Sequence, residues 1–184
     1  WFPSFWHEAG GMDLGDAGGL TAVYGLTSAL VRCLIGPVAD RIGGAVVVAV
    51  GMVVASVGAW LIVLSADFYA ELAGQELIGV GFGMINGAVF KMVPHQVPEA
   101  VGGASGLVAG LGSFGGFALP SLLACFPRSM GTPGYARSFV VIPALAPVGL
   151  LMACALWRAE GQRPGADGDF TETDDASTTT SASE

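Results

Sequence analysis

The chain has 184 residues, 53% of them hydrophobic and only 12% charged, with 29 glycines, a net charge of −8 and a mean hydropathy of +0.66. A soluble domain carries about 25% charged residues and about 7% glycine, so this chain has roughly half the charge and twice the glycine. Those figures, with long apolar runs, exclude a soluble globular enzyme, a disordered protein and a collagen-like repeat, and put the chain in a bilayer.

The negative charge is unevenly spread. Residues 159–184 hold seven acids and one base, whereas residues 1–158 hold eight acids and six bases. The embedded part is therefore nearly neutral. Lys91 is the only lysine, and no basic cluster exists to attract nucleic acid.

In chain order, residues 1–8 carry Trp1, Phe2, Phe5 and Trp6 with no initiator Met and no basic leader. They read as the last turns of an earlier transmembrane helix ending in an aromatic belt, so the chain is expected to be the C-terminal part of a longer membrane protein. After a polar loop over 10–16, the first complete span covers 17–38, with Arg32 as its only charge. A second, uncharged span covers 45–65. The third, 68–93, contains Glu71 and Glu76, and a loop over 94–98 follows it. A Gly-rich fourth span covers 101–125. A Gly- and Pro-rich loop over 127–136 then leads to the last span, 139–157, which contains Pro143 and Pro147.

Each run is near the ~20 residues that cross ~30 Å of hydrocarbon. The expectation is an all-α integral membrane protein: the end of one helix over 1–8, a five-helix region over 9–158, and an acidic, disordered tail over 159–184. The bases Arg41, Lys91, Arg158 and Arg163 outnumber Arg128 and Arg137 on the opposite side, which makes the Arg41 side and the tail cytoplasmic. The three cysteines, Cys33, Cys125 and Cys154, stand singly in apolar runs and read as small buried thiols.

Arg32 is the most informative residue. It precedes Asp40 by eight residues and follows Ala17 by fifteen, which is ~12 Å and ~22 Å along a helix and places it near the membrane midplane. An arginine there costs ~2.5–3.5 kcal/mol on insertion scales, so such a residue faces the bundle interior and marks a pathway. Pairing with a helix carboxylate or snorkelling is the plainer alternative, but eight residues is too far to snorkel comfortably. A guanidinium fork suits a small planar oxyanion, which it can grip with two parallel bonds.

Glycines form a second pattern. Gly79, Gly83 and Gly87 recur every fourth residue, as do Gly106 with Gly110 and Gly112 with Gly116, and Gly115 stands beside the last pair. Such faces let helix backbones approach closely. Residues 110–115 also match the dinucleotide fingerprint G-x-G-x-x-G, but inside a membrane span that match has no strand before it and is rejected. Asn86 is a candidate donor to an oxyanion, or else to a neighbouring helix. Glu76 reads as an interfacial glutamate more readily than as a proton carrier.

The segment from Gly36 through Asp40, Arg41, Gly43 and Gly44 has the pattern G-x-x-x-D-R-x-G-G, with the glycines permitting a tight turn and Asp40 and Arg41 able to pair across it. It resembles the cytoplasmic loop motif of the major facilitator superfamily. The runs G-V-G-F-G-M-I-N-G-A-V-F-K-M-V-P (79–94) and G-G-A-S-G-L-V-A-G-L-G-S-F-G-G-F-A-L-P (102–120), with A-L-V-R (29–32) ahead of the loop, resemble the nitrate/nitrite porter (NarK-type) family. The resemblance covers about residues 1–158 and implies the C-terminal six-helix half of a twelve-helix transporter. It implies that Arg32 is one of two substrate arginines and that the helix with Gly106, Gly110, Gly112, Gly115 and Gly116 carries a nitrate signature. The other arginine and signature belong to an N-terminal half absent from this sequence.

The function so implied is secondary transport of nitrate and/or nitrite across the cell membrane by alternating access, as nitrate/nitrite exchange or proton-coupled uptake. Arg32, Asn86 and Gly110 would bind substrate, Gly83 and Gly87 would pack helices, and the Asp40–Arg41 loop would help lock the cytoplasmic gate. The expected partners are the anion, protons, membrane lipid and the missing half. The alternatives are a transporter of another small anion, such as oxalate or formate, and a non-transporting anchor. No enzyme, metal or cofactor motif is present.

Overall fold

The computed structural model describes residues 1–161; of the expected tail over 159–184, residues 159–161 continue the last helix and 162–184 lie outside the described residues. Every regular element among the described residues is helical. Five helical stretches are long and apolar enough to cross a membrane, so the chain is a multi-pass membrane protein.

The chain opens with a single turn, α1 (Phe2–Ser4), continued by a widened π turn over Phe5–Ala9. Helix α2 (Leu14–Leu34) starts at Asp13, whose carboxylate accepts from the Gly15 N–H at 3.0 Å. That satisfies one of the donors a helix start leaves orphaned. The expected span over 17–38 ends at Leu34, and a separate short helix, α3 (Gly36–Ile42), follows with Pro37 in its first turn. The break falls where proline disfavours a continuous helix. Helix α4 (Gly44–Leu64) follows at once. Helix α5 (Phe68–Gln96) is capped by Asp67, which accepts from the N–H groups of Tyr69 and Ala70. It runs through Pro94, which was expected to lie in a loop. Proline this close to a helix end removes one hydrogen bond of the last turn and need not stop the helix.

Helix α6 (Val101–Leu123) is the Gly-rich span. The expected loop over 127–136 instead forms two short helices, α7 (Cys125–Met130) and α8 (Pro133–Ser138), with Gly131 at φ +69° between them. Helix α9 (Val141–Gly161) closes the described region. Pro143 falls in its first turn, where the missing N–H would be unpaired anyway.

Glycine contacts set the directions of the helices. A Cβ on Gly79, Gly83 and Gly87 of α5 would meet Tyr24, Ser28 and Arg32 of α2 in that order, so α2 and α5 run parallel. Gly51 of α4 faces Gly81 while Gly58 faces Gly74, so α4 and α5 run antiparallel. Close approach is what two apolar helices in lipid have to gain, because burial from water is not available to drive them together. The end of α2, with Asp40 of α3 just beyond it, and the end of α5 that carries Lys91 therefore share one face of the membrane, and the starts of α2 and α5 share the other. Cysteine placed at Asp13 and at Asp40, in protein without native cysteines, is expected to react with impermeant thiol reagents from opposite sides. Labelling of both from one side would overturn this arrangement.

Two expectations fail at the surface. Phe2, Phe5 and Trp6 are not an interfacial belt: they are buried, with Phe5 and Trp6 each 1% exposed, in a cluster with Ala17, Ile62, Ile78 and Phe139. Phe2 packs on Tyr24 of α2, Phe2 and Phe5 both meet Phe139 at the end of α8, and Trp6 meets Phe68 of α5. The three cysteines are exposed rather than buried. In lipid a weakly polar thiol can face outward at little cost.

Candidate anion-binding site

A cavity of about 890 Å³ opens between α2, α5 and α6. Arg32 and Tyr24 line it from α2, Phe82, Asn86 and Phe90 from α5, and Gly112, Ser113 and Gly116 from α6. Trp1 and Phe2 close the end nearest the chain start. The structure thus brings Arg32 and Asn86 together on one cavity.

Helical period explains the lining. Phe82, Asn86 and Phe90 are four residues apart and share one face of α5. Thr21 and Arg32 are eleven apart, three turns of α2, and both line the cavity. Phe90 was absent from the sequence candidates, yet its ring centroid lies 5.0 Å from the Arg32 Cζ. A guanidinium on an aromatic face is steadied without its N–H donors being used, so they remain available to an anion. Arg32 is exposed in this chain and forms no ion pair among the described residues. The signal that could have found Phe82 and Phe90 is their spacing from Asn86.

Gly87 sets where Arg32 stands. A Cβ at Gly87 would lie 2.8 Å from the Arg32 carbonyl oxygen and would clash with the Ile35 side chain. Gly83 does the same one turn earlier, against the Ser28 carbonyl at 2.6 Å and Val31. Both were expected to pack helices, and each stands against the α2 backbone at these points.

The glycines of α6 behave differently. A Cβ on Gly106, Gly110, Gly112, Gly115 or Gly116 would meet nothing within 4 Å among the described residues. Gly112, Gly115 and Gly116 line the cavity, but Gly110 does not. Beside them Leu107, Leu111, Phe114 and Phe117 are largely exposed. The outer face of α6 is apolar and has no partner among the described residues.

The D-R-x-G-G turn is built as its residues suggest, with one change. Gly43 has φ +90°, which a side chain would strain, and a Cβ on Gly44 would run into Met92 of α5. Gly36 and Arg41 fall in the first and last turns of α3. Asp40 does not pair with Arg41 across the turn; it forms an ion pair with Lys91 at 3.1 Å, linking α3 to the end of α5. Both side chains are 45% exposed, so the pair is worth little to stability. No group of three or more His, Cys, Asp and Glu side chains placed to hold a metal occurs among the described residues.

The family model of the Major Facilitator Superfamily matches residues 2–179. The chain is 31% identical over 171 residues to a probable nitrate/nitrite antiporter, NarK1, of Thermus thermophilus, covering 82% of this chain and 38% of that protein. It is 28% identical over 142 residues to a probable nitrate transporter, NarT, of Staphylococcus carnosus, covering 77% of this chain and 35% of the relative. A NarT of Staphylococcus aureus strain RF122 is 27% identical over 132 residues, covering 72% and 34%. The chain therefore spans little more than a third of the length of these relatives. No solved structure matches it significantly. Five membrane-length helices, the D-R-x-G-G turn and the family match lead to one assignment: the chain belongs to the Major Facilitator Superfamily, with homology to its nitrate/nitrite transporters.

Proposed function

We propose that the chain forms one half of a secondary transporter of nitrate and/or nitrite in the cell membrane. The cavity of α2, α5 and α6 is one wall of the anion path. The observation that carries this reading is Arg32: a cation on a membrane-spanning helix, open to a cavity, held against Phe90 and bound to no carboxylate among the described residues. A positive charge held at membrane depth without a counter-ion is costly, and an anion entering the cavity removes that cost. Asn86 supplies a side-chain amide on the same wall. Gly112 and Gly116 keep the opposite wall open to a small ligand.

In this reading the anion enters from one side, engages Arg32 and Asn86, and is released when the two halves rock about the site. The exposed apolar side chains of α6, Leu107, Leu111, Phe114 and Phe117, meet the other half. The Asp40–Lys91 pair ties the turn to α5 on the cytoplasmic side. Nothing covalent is required.

Substrate choice is tested by counterflow in proteoliposomes of the full-length protein that carries this sequence. Labelled nitrate is expected to accumulate in vesicles preloaded with nitrate or nitrite and not in vesicles preloaded with sulfate. Accumulation driven by formate or oxalate, with nitrate inert, would assign the same cavity to carboxylates and overturn the nitrate reading.

A further inference from the structure

We propose that the cavity has a second compartment, an apolar chamber that takes the hydrocarbon body of an organic monoanion whose head is held at Arg32. The inference rests on the reading that Arg32 holds an anion, and not on that anion being nitrate.

A small ion fills little of the cavity. Its volume is about 890 Å³, whereas an ion of four heavy atoms needs the room of about two waters, ~60 Å³. Clefts of roughly 300–1,000 Å³ enclose drug-sized ligands.

Helix register divides the space. Gly79 of α5 stands against Tyr24 of α2, and Gly87 against Arg32, so the two helices stay in step along the cavity. Arg32 and Asn86 line it at one level. Tyr24 and Ile78 line it eight residues earlier on each helix, ~12 Å away. The Phe2 ring lies 4.8 Å from Tyr24 and 5.1 Å from Phe139 between centroids, which puts Phe2 and Phe139 at that far level too. Helix α6 is joined to the end of α5 by residues 97–100 and returns across the membrane. Leu119, seven residues past Gly112, therefore lines the cavity ~10 Å closer to the far level.

Chemistry divides it the same way. Arg32 is the one charged side chain among the lining residues, so no carboxylate there repels an anion. At the far level Phe2, Ile78, Leu119 and Phe139 offer hydrocarbon and aromatic faces. The Trp1 indole N–H, which could serve a polar ligand, instead donates to Ser138 at 3.1 Å. The hydroxyls of Thr21 and Ser113 donate to the Ala17 and Ala109 carbonyls of their own helices, at 2.8 and 2.9 Å. An arylalkyl monocarboxylate matches both compartments. Its head takes the two-bond grip of the guanidinium, and its ring covers apolar walls. A second carboxylate or a set of hydroxyls on the same body would enter the chamber without partners. Because the ligand spans both levels, it competes with the small anion for Arg32.

The test is calorimetric binding of benzoate, phenylacetate, phenylpropionate and phenylbutyrate to the purified full-length protein. Each added methylene carries the ring further from the head and into the chamber. Affinity is expected to rise about threefold per methylene, the gain of burial less the cost of fixing one more bond, and so roughly 30-fold across the series. The uncharged amide of phenylbutyrate should bind about tenfold more weakly than the acid, or worse. Leu119→Trp fills the chamber and should flatten the series, read as the ratio of phenylbutyrate to benzoate affinity within one protein. A gentler variant gives a second readout. Leu119→Cys, in protein otherwise free of cysteine, should be modified more slowly by a water-soluble thiol reagent when phenylbutyrate is bound, and at the ligand-free rate when benzoate is bound. A flat wild-type series, an amide as tight as the acid, a Leu119→Trp protein that keeps the wild-type ratio, or no protection by phenylbutyrate overturns the proposal. If nitrate binds and none of the carboxylates does, the chamber falls and the nitrate reading stands. If neither nitrate nor any carboxylate binds, the anion reading falls as well.

Discussion

Arg32→Lys is expected to weaken nitrate binding and transport roughly 30- to 150-fold while the protein still inserts and folds. Lysine keeps the charge but replaces a planar fork with a single ammonium that cannot make two parallel bonds to one oxyanion. Losing one charge-assisted contact costs about 2–3 kcal/mol, which is that loss in affinity. Folding should be spared because Arg32 forms no ion pair among the described residues and reaches into an open cavity. Cys33→Ser, one residue further along α2 and exposed, should change uptake little. Equilibrium nitrate binding and proteoliposome uptake check both variants, and near-normal uptake by Arg32→Lys would make the arginine structural.

The second large effect separates two kinds of glycine. Gly58→Leu in α4 is expected to destabilise the bundle by about 3 kcal/mol or more and to sharply reduce the yield of folded protein. A Cβ there already lies 2.5 Å from the Gly74 carbonyl oxygen and 2.9 Å from the Ile78 nitrogen. These are backbone atoms that cannot step aside, so the cost falls at the upper end of overpacking. Gly112→Leu in α6 places the same side chain where nothing lies within 4 Å, on the cavity wall. It should leave thermal stability nearly unchanged and abolish transport by filling the anion path. Thermal melts in detergent and uptake assays separate the two outcomes. A Gly112→Leu protein that transports normally would remove α6 from the path.

The helices were legible in the sequence because lipid allows few choices: runs of about twenty apolar residues must be helical to satisfy their own backbone. The tight turn at Gly43 also follows from local chemistry, whereas α2 starts at Leu14, inside the expected polar loop, because Asp13 caps it. The Gly- and Pro-rich stretch after α6 was harder, because the same residues that end a long helix also start short ones. Hydropathy cannot say which apolar side faces lipid and which faces protein. For that reason Phe5 and Trp6 proved buried where a belt was expected, and the cysteines proved exposed. Spacing showed that the glycines of α5 and α6 form faces, but not that one set packs and the other lines open space. Arg32 stood out because a lone charge in a span is conspicuous. Phe90 did not, because an aromatic in a membrane helix is ordinary until a guanidinium lies over it.

The central claim is that the anion occupies the cavity beside Arg32, and ligand protection of a cavity cysteine tests it most directly. Val89 lines the cavity, whereas Leu122 is exposed on α6 and outside the lining. Each is replaced by cysteine in full-length protein otherwise free of cysteine, and modification by a water-soluble thiol reagent is timed with and without nitrate. Nitrate is expected to slow modification at position 89, to leave position 122 unaffected, and to lose its effect when Arg32→Lys is added. Equal rates at position 89 with and without nitrate, in protein shown to transport nitrate, would place the anion elsewhere.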